Sequence, residues 1–236
     1  MSTSIKFSTL LGAALLSASA AAQAVIVEPF TGGQLSAAGW SQPIGADASI
    51  YLSQSAPDGT YGIALSEGQW SYNTSINFLP GETLSAWINP GPGPNTDPND
   101  QGGRLYVGFD AGVSGAYSFV AASDTEQLGF QDNSNNYALP DFSNAVNQNY
   151  ADQWYLLTVT LSSDGSSATA NVYNNDGSTL LNTLTETGLS VTGNTGIALR
   201  GLGGAAITSV AIVPLPGTFW LFASAAGLLP ALRRRK

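Results

Sequence analysis

Apolar residues recur at every second position in three segments, 104–109, 154–161 and 168–173. A period of two places successive side chains on opposite faces of a β-strand, so each segment is predicted to be a strand with one buried face. Asp164-Gly165 separates the second and third segments, and Asn175-Asp176-Gly177 follows the third. Because these are typical hairpin turn residues, the pattern predicts a three-strand meander over residues 153–185.

Shorter apolar or alternating segments predict further strands, and no amphipathic helical pattern occurs between Val25 and Val213. About a dozen short strands favour an all-β fold, a two-sheet antiparallel sandwich. Residues 89–103 contain four prolines and four glycines and are predicted to form an exposed loop. Residues 132–149 form a second polar stretch. The further strands are predicted near residues 25–30, 47–53, 60–65, 70–78, 83–89, 115–122, 126–131, 195–200 and 206–213.

Both chain ends have the composition of targeting segments. Residues 1–24 combine Lys6, an apolar core and Ala22-Gln23-Ala24, which predicts an export signal peptide cleaved before Val25, with cleavage after Ala20 as the alternative. The C-terminal segment, residues 214–236, contains an apolar run of roughly 24 Å if helical, slightly short for a bilayer core of about 30 Å. Its basic end would remain cytoplasmic. Residues 25–213 are therefore predicted to be one exported domain.

The order of features at the C-terminus resembles the PEP-CTERM sorting signal of exopolysaccharide-producing Gram-negative bacteria. The resemblance implies an exosortase-type partner and transient contact with the inner membrane. It also implies a final location at the cell surface or in the extracellular matrix. Leu215 stands where that signal most often has Glu, and the alternative is a tail anchor that persists. The residues that carry the resemblance are Val213, Pro214, Leu215, Pro216, Arg233, Arg234 and Arg235, before the final Lys236.

Two segments of the central region resemble strands of laminin-G and concanavalin A-like domains. They are 84–88 (Leu-Ser-Ala-Trp-Ile) and 154–159 (Trp-Tyr-Leu-Leu-Thr-Val), and residues 207–212 match the closing strand in position and length. The resemblance implies a jelly-roll sandwich. That fold carries lectins, glycanases and adhesion modules alike, so it does not by itself select a function.

Charge and composition exclude several function classes. Residues 25–213 contain two arginines against sixteen carboxylates, a net charge of −14, which excludes binding to a nucleic-acid backbone. The chain has no His and no Cys, which excludes His-based catalytic triads, His-ligated zinc and thiol chemistry. The alternating pair Asp124 and Glu126 is the one candidate for glycoside hydrolysis, which needs two nearby carboxylates. The glycanase motif Glu-x-Asp-x-x-Glu is missing, so a solvated strand end is the preferred interpretation.

Carbohydrate binding requires a stacking aromatic ring beside planar amides or carboxylates. Tyr137 is the best candidate ring because it lies in a polar stretch, with Trp40 and Trp70 expected behind it. Trp87 and Trp154 are expected in the core. The amides that accompany Tyr137 are those of Asn133, Asn135 and Asn136.

Calcium is the other predicted ligand, because it binds hard oxygen ligands from Asp, Asn and backbone carbonyls. The jelly-roll resemblance also implies a structural calcium. The candidate ligands are Asp97, Asn99 and Asp100 in the proline-rich loop, and Asp132 with Asn133 and Asn135. The alternative is that all of them are turn formers.

Arg104 and Arg200 are the only cations between residues 25 and 213. Each is expected to form a local ion pair, with recognition of an acidic polysaccharide as the alternative. Together the patterns predict an exported matrix or biofilm-associated protein that binds carbohydrate or mediates adhesion. The alternatives are a structural matrix protein without a ligand site and, as the third choice, a glycan-degrading enzyme.

Overall fold

The computed structural model describes residues 24–28, 30, 38–41, 56–60, 62–94, 102–191 and 196–214. Gln23–Leu215 form one compact unit. Twelve strands occur in these residues, and no helix among them is long and apolar enough to cross a membrane. The strands are β1 (Val25–Glu28), β2 (Ile63–Glu67), β3 (Ser71–Asn73), β4 (Thr83–Asn89), β5 (Arg104–Gly112), β6 (Gly115–Ala122), β7 (Gln127–Asp132), β8 (Ser143–Asn147), β9 (Tyr155–Leu161), β10 (Ser167–Tyr173), β11 (Leu180–Thr187) and β12 (Gly196–Val213).

The long strand β12 joins two antiparallel layers. The hydrogen-bonded order is β11-β10-β9-β4-β12-β5-β6-β7-β8, and β1, β2 and β3 also pair with β12. Residues Gly196–Leu202 of β12 pair with β5, whereas Ala206–Val213 pair with β4. Gly203 and Gly204 separate the two halves and have φ of 58° and 79°, a conformation that favours glycine. We call the layers the β4 layer (β11-β10-β9-β4) and the β5 layer (β5-β6-β7-β8).

Both layers contribute to one apolar core, so the fold is an all-β antiparallel sandwich, as the sequence predicts. Leu84, Val159 and Ala170 of the β4 layer belong to the same buried cluster as Val107 and Phe119 of the β5 layer. Their positions follow the period of two, which turns every second side chain inward. Three phenylalanines of the β5 layer also meet edge to face, with ring centroids about 6 Å apart, namely Phe109, Phe119 and Phe130.

The predicted meander is confirmed, because β9 pairs with β10 and β10 with β11 in antiparallel register. The polar stretch 132–149 contains a strand that the sequence pattern misses, β8, which pairs with β7. Trp154 is buried as expected. The expectation for Trp87 is wrong, because it lies half-buried on the outer face of β4, where its ring covers Gly177. The predicted segments 1–23, 47–53 and the C-terminal apolar run lie outside the described residues.

Two aspartates hold the turns of the meander. The Oδ1 atom of Asp164 accepts hydrogen bonds from the Ser162 hydroxyl, at 2.7 Å, and from the backbone and hydroxyl of Ser166. These bonds stabilise the carboxylate and lower the pKa of Asp164 to about 2. Asp176 has a pKa of about 2 for the same reason, through its bonds to Thr179 and Ser178.

We expect Asp164→Asn to reduce the acid sensitivity of the protein. The pKa of Asp164 is lower in the folded than in the unfolded chain, so its stabilising effect is present above about pH 4 and lost towards pH 2. The melting-temperature difference between wild type and variant should therefore shrink as pH falls from about 5 to 2. Thermal melts across this range measure it, with Asn174→Asp as a charge-adding control. A difference that stays constant with pH would contradict the assignment.

Candidate functional site

Three strands of the β5 layer, β5, β6 and β7, are buried on both faces. Their inward side chains, such as Val107, belong to the main core, but Tyr106 between them is also fully buried, in a separate cluster with Val120 and Ala122. In the β4 layer, by contrast, the outward positions of β9 and β10 are partly exposed. The outer face of the β5 layer is therefore covered by other parts of the chain.

Aromatic side chains from two distant segments form this cover. Trp70 precedes β3 and lies edge-on to Tyr106, with ring centroids 5.2 Å apart. Tyr137, from the turn after β7, lies 4.8 Å from Trp70 and is stacked on Tyr72 at 5.7 Å. Phe142 packs against the same cluster as Trp70. The three rings Trp70, Tyr72 and Tyr137 thus form one continuous aromatic surface.

A groove of about 520 Å³ opens along this surface. Val113, at the tip of the β5–β6 hairpin, forms its rim and is 79% exposed. None of the described residues that line the groove carries a charge, although the domain has a net charge of −14. We call it the aromatic groove. Its lining residues are Ser41, Gly68, Gln69, Trp70, Tyr72, Val113 and Tyr137.

The turn that follows β7 positions Tyr137. The buried Asn133 side chain donates from Nδ2 to the carbonyl of Ala138 at 2.6 Å, and its backbone carbonyl accepts from Tyr137 N. The Tyr137 hydroxyl donates to the carbonyl of Gly112 at 2.8 Å. Burial, with a smaller effect of Tyr72, raises the pKa of Tyr137, so the ring remains neutral at physiological pH. These bonds hold the half-buried ring at the groove.

Among the predicted carbohydrate-binding residues, the structure places Tyr137 in the groove. Asn133 is buried and its amide holds the turn. Asn135 and Asn136 are exposed on that turn but do not line the groove. Trp40 is not behind Tyr137 as expected, because its Nε1 donates to the Glu28 carboxylate at 2.6 Å and its ring packs on the main core.

Trp70 and Tyr72 are the functional candidates whose combined role the sequence analysis misses. They stand two positions apart, on either side of Ser71, so in an extended segment both side chains lie on one face. That spacing is a signal available in the sequence. What brings them to Tyr137 is the pairing of Tyr72 with Ala198 of β12, a contact between distant segments.

The predicted calcium ligands do not form a site in the part of the chain that the structure describes. Asp132 is exposed and its Oδ1 accepts from Ser134 N, as in an ordinary turn. Within the described residues no three acidic side chains gather closely enough to hold a metal ion. Asp97, Asn99 and Asp100 lie outside the described residues.

Asp124 and Glu126 lie in the β6–β7 turn rather than on a strand edge. Asp124 forms an ion pair with Arg104 at 2.9 Å, and the Glu126 carboxylate accepts from Asn149. Neither carboxylate lines the aromatic groove. These contacts indicate that both carboxylates stabilise the turn.

The two arginines differ from each other. Arg104 forms the expected ion pair, and its guanidinium lies over the Phe142 ring. Arg200 does not form the expected pair with any described carboxylate; its Nε donates to the carbonyl of Gly68 at 2.7 Å. Burial lowers the pKa of Arg200. The guanidinium of Arg200 lies 4.6 Å from the centroid of Tyr106 and 6.0 Å from that of Trp70.

The junction of the predicted sorting signal follows directly after the last strand. Val213 ends β12 opposite Thr83, and Pro214 is the final residue described. Val25, at the predicted cleavage site, begins β1 and pairs with Ile212. Leu215, Pro216, Arg233, Arg234 and Arg235 lie outside the described residues.

Several solved structures have a similar chain path. The exoplasmic/lumenal domain of VIP36 in its Ca²⁺-bound form is 14% identical, with a TM-score of 0.49, over 65% of this chain and 78% of that chain. Galectin LEC-6 of Caenorhabditis elegans is 12% identical, with a TM-score of 0.38, over 58% and 85%. Chicken galectin 2 is 12% identical, with a TM-score of 0.37, over 58% and 93%. No family model and no curated protein matches the sequence.

Proposed function

We propose that this protein is a lectin-like carbohydrate-binding module whose ligand lies in the aromatic groove. The observation that carries the proposal is the continuous surface of Trp70, Tyr72 and Tyr137 beside an open groove whose described lining residues are uncharged. Sugar rings have apolar C–H faces and polar rims, so they stack on aromatic rings while hydroxyls bond at the edges. The size of the groove lies within the range usual for small-ligand sites.

The edges of the groove can supply the polar contacts. Ser41 and Gln69 line it together with the rings and present a hydroxyl and an amide. Amide and hydroxyl groups both donate and accept, as sugar hydroxyls require. The arrangement supports binding rather than catalysis, since the carboxylates Asp124 and Glu126 are engaged in a turn away from the groove.

The proposal extends to the setting in which the module works. The sequence patterns at both ends support export, processing at a PEP-CTERM-like signal by an exosortase-type enzyme, and residence in a polysaccharide matrix at the cell surface. The jelly-roll class rests on a different resemblance, that of segments 84–88 and 154–159 to strands of laminin-G and concanavalin A-like domains. A structural calcium ion remains a proposal for the proline-rich loop alone, because Asp132 is engaged in its own turn. Addition of a chelator to the binding assay below tests it.

Trp70→Ala is expected to weaken carbohydrate binding roughly thirtyfold or more, the effect of removing an aromatic anchor from the centre of a site. The measurement is an oligosaccharide array followed by calorimetric titration of the glycans that bind. Trp87→Ala is the matched control, because Trp87 is likewise half-buried on an outer face, but on the β4 layer. Circular dichroism confirms that both variants fold.

Equal losses in the Trp70 and Trp87 variants would place the site elsewhere or reflect general destabilisation. Tyr72→Ala provides a second measurement, since Tyr72 stacks on Tyr137 and its removal opens the same surface. If the folded wild type binds no glycan on the array, the proposal fails, and a structural matrix protein becomes the preferred function.

A further inference from the structure

Buried polar atoms without partners concentrate beneath the aromatic cover. Six side-chain atoms of the described residues are buried and form no hydrogen bond, and folded proteins contain few such atoms. Four of the six belong to the outer face of the β5 layer and its cover, and they comprise two nitrogens that only donate and two hydroxyls that donate or accept. They are Trp70 Nε1, Tyr106 OH, Ser118 Oγ and Arg200 Nη1.

The strand register shows why these atoms lie together. Arg200 pairs with Tyr106 across β12 and β5, and Ser118 pairs with Gly108, the next outward position of β5. Trp70 contacts the Tyr106 ring from above. The four atoms therefore lie on one face, and the two that only donate, Trp70 Nε1 and Arg200 Nη1, match a ligand that supplies acceptor oxygens.

Arg200 is the charged member of the group. It is 7% exposed, its Nη1 has no hydrogen-bond partner, and no described carboxylate forms an ion pair with it. Burying a cation without an anionic partner is costly, because the charge loses its hydration. The two rings beside it offset part of this cost. Arg104 differs in this respect because Asp124 already neutralises it.

Arg200 lies directly beside the aromatic groove. Its Nε is bound to the carbonyl of Gly68, and Gly68 and Trp70 both line the groove. A Cβ atom at Gly68 would lie 2.5 Å from Leu202 Cδ2 and 3.2 Å from Arg200 Nη2, so a larger residue would crowd the guanidinium. Gly68 has a φ of +68°, which also favours glycine. Arg200 does not line the groove itself, but it is bonded to one lining residue, Gly68, and its guanidinium lies 6.0 Å from the ring centroid of another, Trp70.

We propose that the aromatic groove binds an acidic sugar, with a carboxylate of the glycan paired to the guanidinium of Arg200. This inference rests on the proposed function and names the ligand class for the same site. A carboxylate accepts two parallel N–H bonds from a guanidinium, a geometry that gives specificity as well as affinity. Among the residues that the structure describes, no carboxylate lines the groove to compete for the guanidinium.

The acidic surface of the domain does not prevent this binding. At about 0.15 M salt, charges more than roughly 8 Å apart are largely screened, whereas a partly buried pair is screened much less. The sixteen carboxylates of the sequence therefore weaken long-range attraction of a polyanion more than they weaken the pair at Arg200. The binding of acidic glycans should therefore be measured at about 0.15 M salt.

The test compares an oligomer of galacturonic acid with its methyl ester, which has the same rings and hydroxyls but no charge. Calorimetric titration of the wild-type protein should show about tenfold tighter binding of the acid, the effect of one charge-assisted pair. Arg200→Met should bring the two affinities within about twofold, because it removes the charge and retains much of the stem. Arg104→Met is the matched control and should keep the preference.

Arg200→Lys tests the same pair if the methionine variant does not fold. It keeps the charge but loses the planar fork, so the preference should fall below that of the wild type. Equal binding of acid and ester by the wild type would overturn the inference and leave the proposed function intact. Tighter binding of a sulfated oligomer than of the uronate would also overturn it. If neither oligomer binds while other glycans do, the inference of an acidic ligand is wrong. If no glycan binds, the proposed function fails as well.

Discussion

Gly115→Ala is expected to abolish ligand binding at the aromatic groove by displacing the turn that carries Tyr137. Gly115 begins β6 with a φ of +148°, a conformation that other residues rarely adopt. A Cβ atom there would lie 2.3 Å from the carbonyl oxygen of Asn133 and 2.5 Å from the backbone of Ser134. These are backbone atoms, so no side-chain rotation relieves the clash.

The contact at Gly115 matters because the same carbonyl organises the turn. Asn133 O accepts from Ala116 N and from Tyr137 N, and Asn136 N donates to Ser114 O at 2.6 Å. Pushing the carbonyl away breaks these bonds and moves the Tyr137 ring from Trp70. Strain and overpacking together should lower the free energy of unfolding by roughly 2–4 kcal/mol.

Gly59→Ala is the matched control for Gly115→Ala. Gly59 also has a positive φ, of 81°, but no atom lies within 4 Å of a Cβ placed there. It should lose about 1 kcal/mol from backbone strain and bind ligand as the wild type does. Denaturant unfolding and oligosaccharide titration measure both effects. A Gly115→Ala protein that binds with wild-type affinity would show that the turn does not position the groove.

Local patterns predict the layers of this fold but not their connection. The alternation at 154–161 and the turns at Asp164 and Asn175 identify the meander, because those contacts join neighbours in sequence. The role of β12 follows from pairings with β4, β5 and β1, which lie far away along the chain. β8 escapes prediction because its residues are polar and mostly exposed.

The same reason limits prediction of the site. Tyr137 is recognisable from its polar neighbourhood, but its partners Trp70 and Tyr72 lie more than 60 residues away. Asn133 is predicted to contact a ligand, but it is buried and its amide stabilises the turn. The sequence alone does not distinguish an amide that stabilises a turn from one that binds a ligand. The unpaired state of Arg200 depends on which strands flank it. The folded sheet shows that Arg104 has a carboxylate partner and that Arg200 is bonded to a backbone carbonyl, a difference that the sequence does not reveal.

Phe119→Ala is expected to cause the largest loss of stability, about 3–5 kcal/mol, because it leaves a cavity in the core. Phe119 is 1% exposed and meets Phe130 edge to face at 5.9 Å. With no cysteine in the sequence, no disulfide offsets the loss. For a domain of this size the melting temperature should fall by roughly 6–20 °C.

Val113→Ala is the control that separates stability from binding. Val113 is 79% exposed at the rim of the groove, so its removal should change stability by less than about 0.5 kcal/mol. It should still weaken glycan binding, whereas Phe119→Ala should bind normally well below its melting temperature. Phe119 faces the core and Val113 the groove, on adjacent parts of the β5–β6 hairpin. If both variants lose stability and binding together, the groove is not separable from the core, and its assignment to the outer face is wrong.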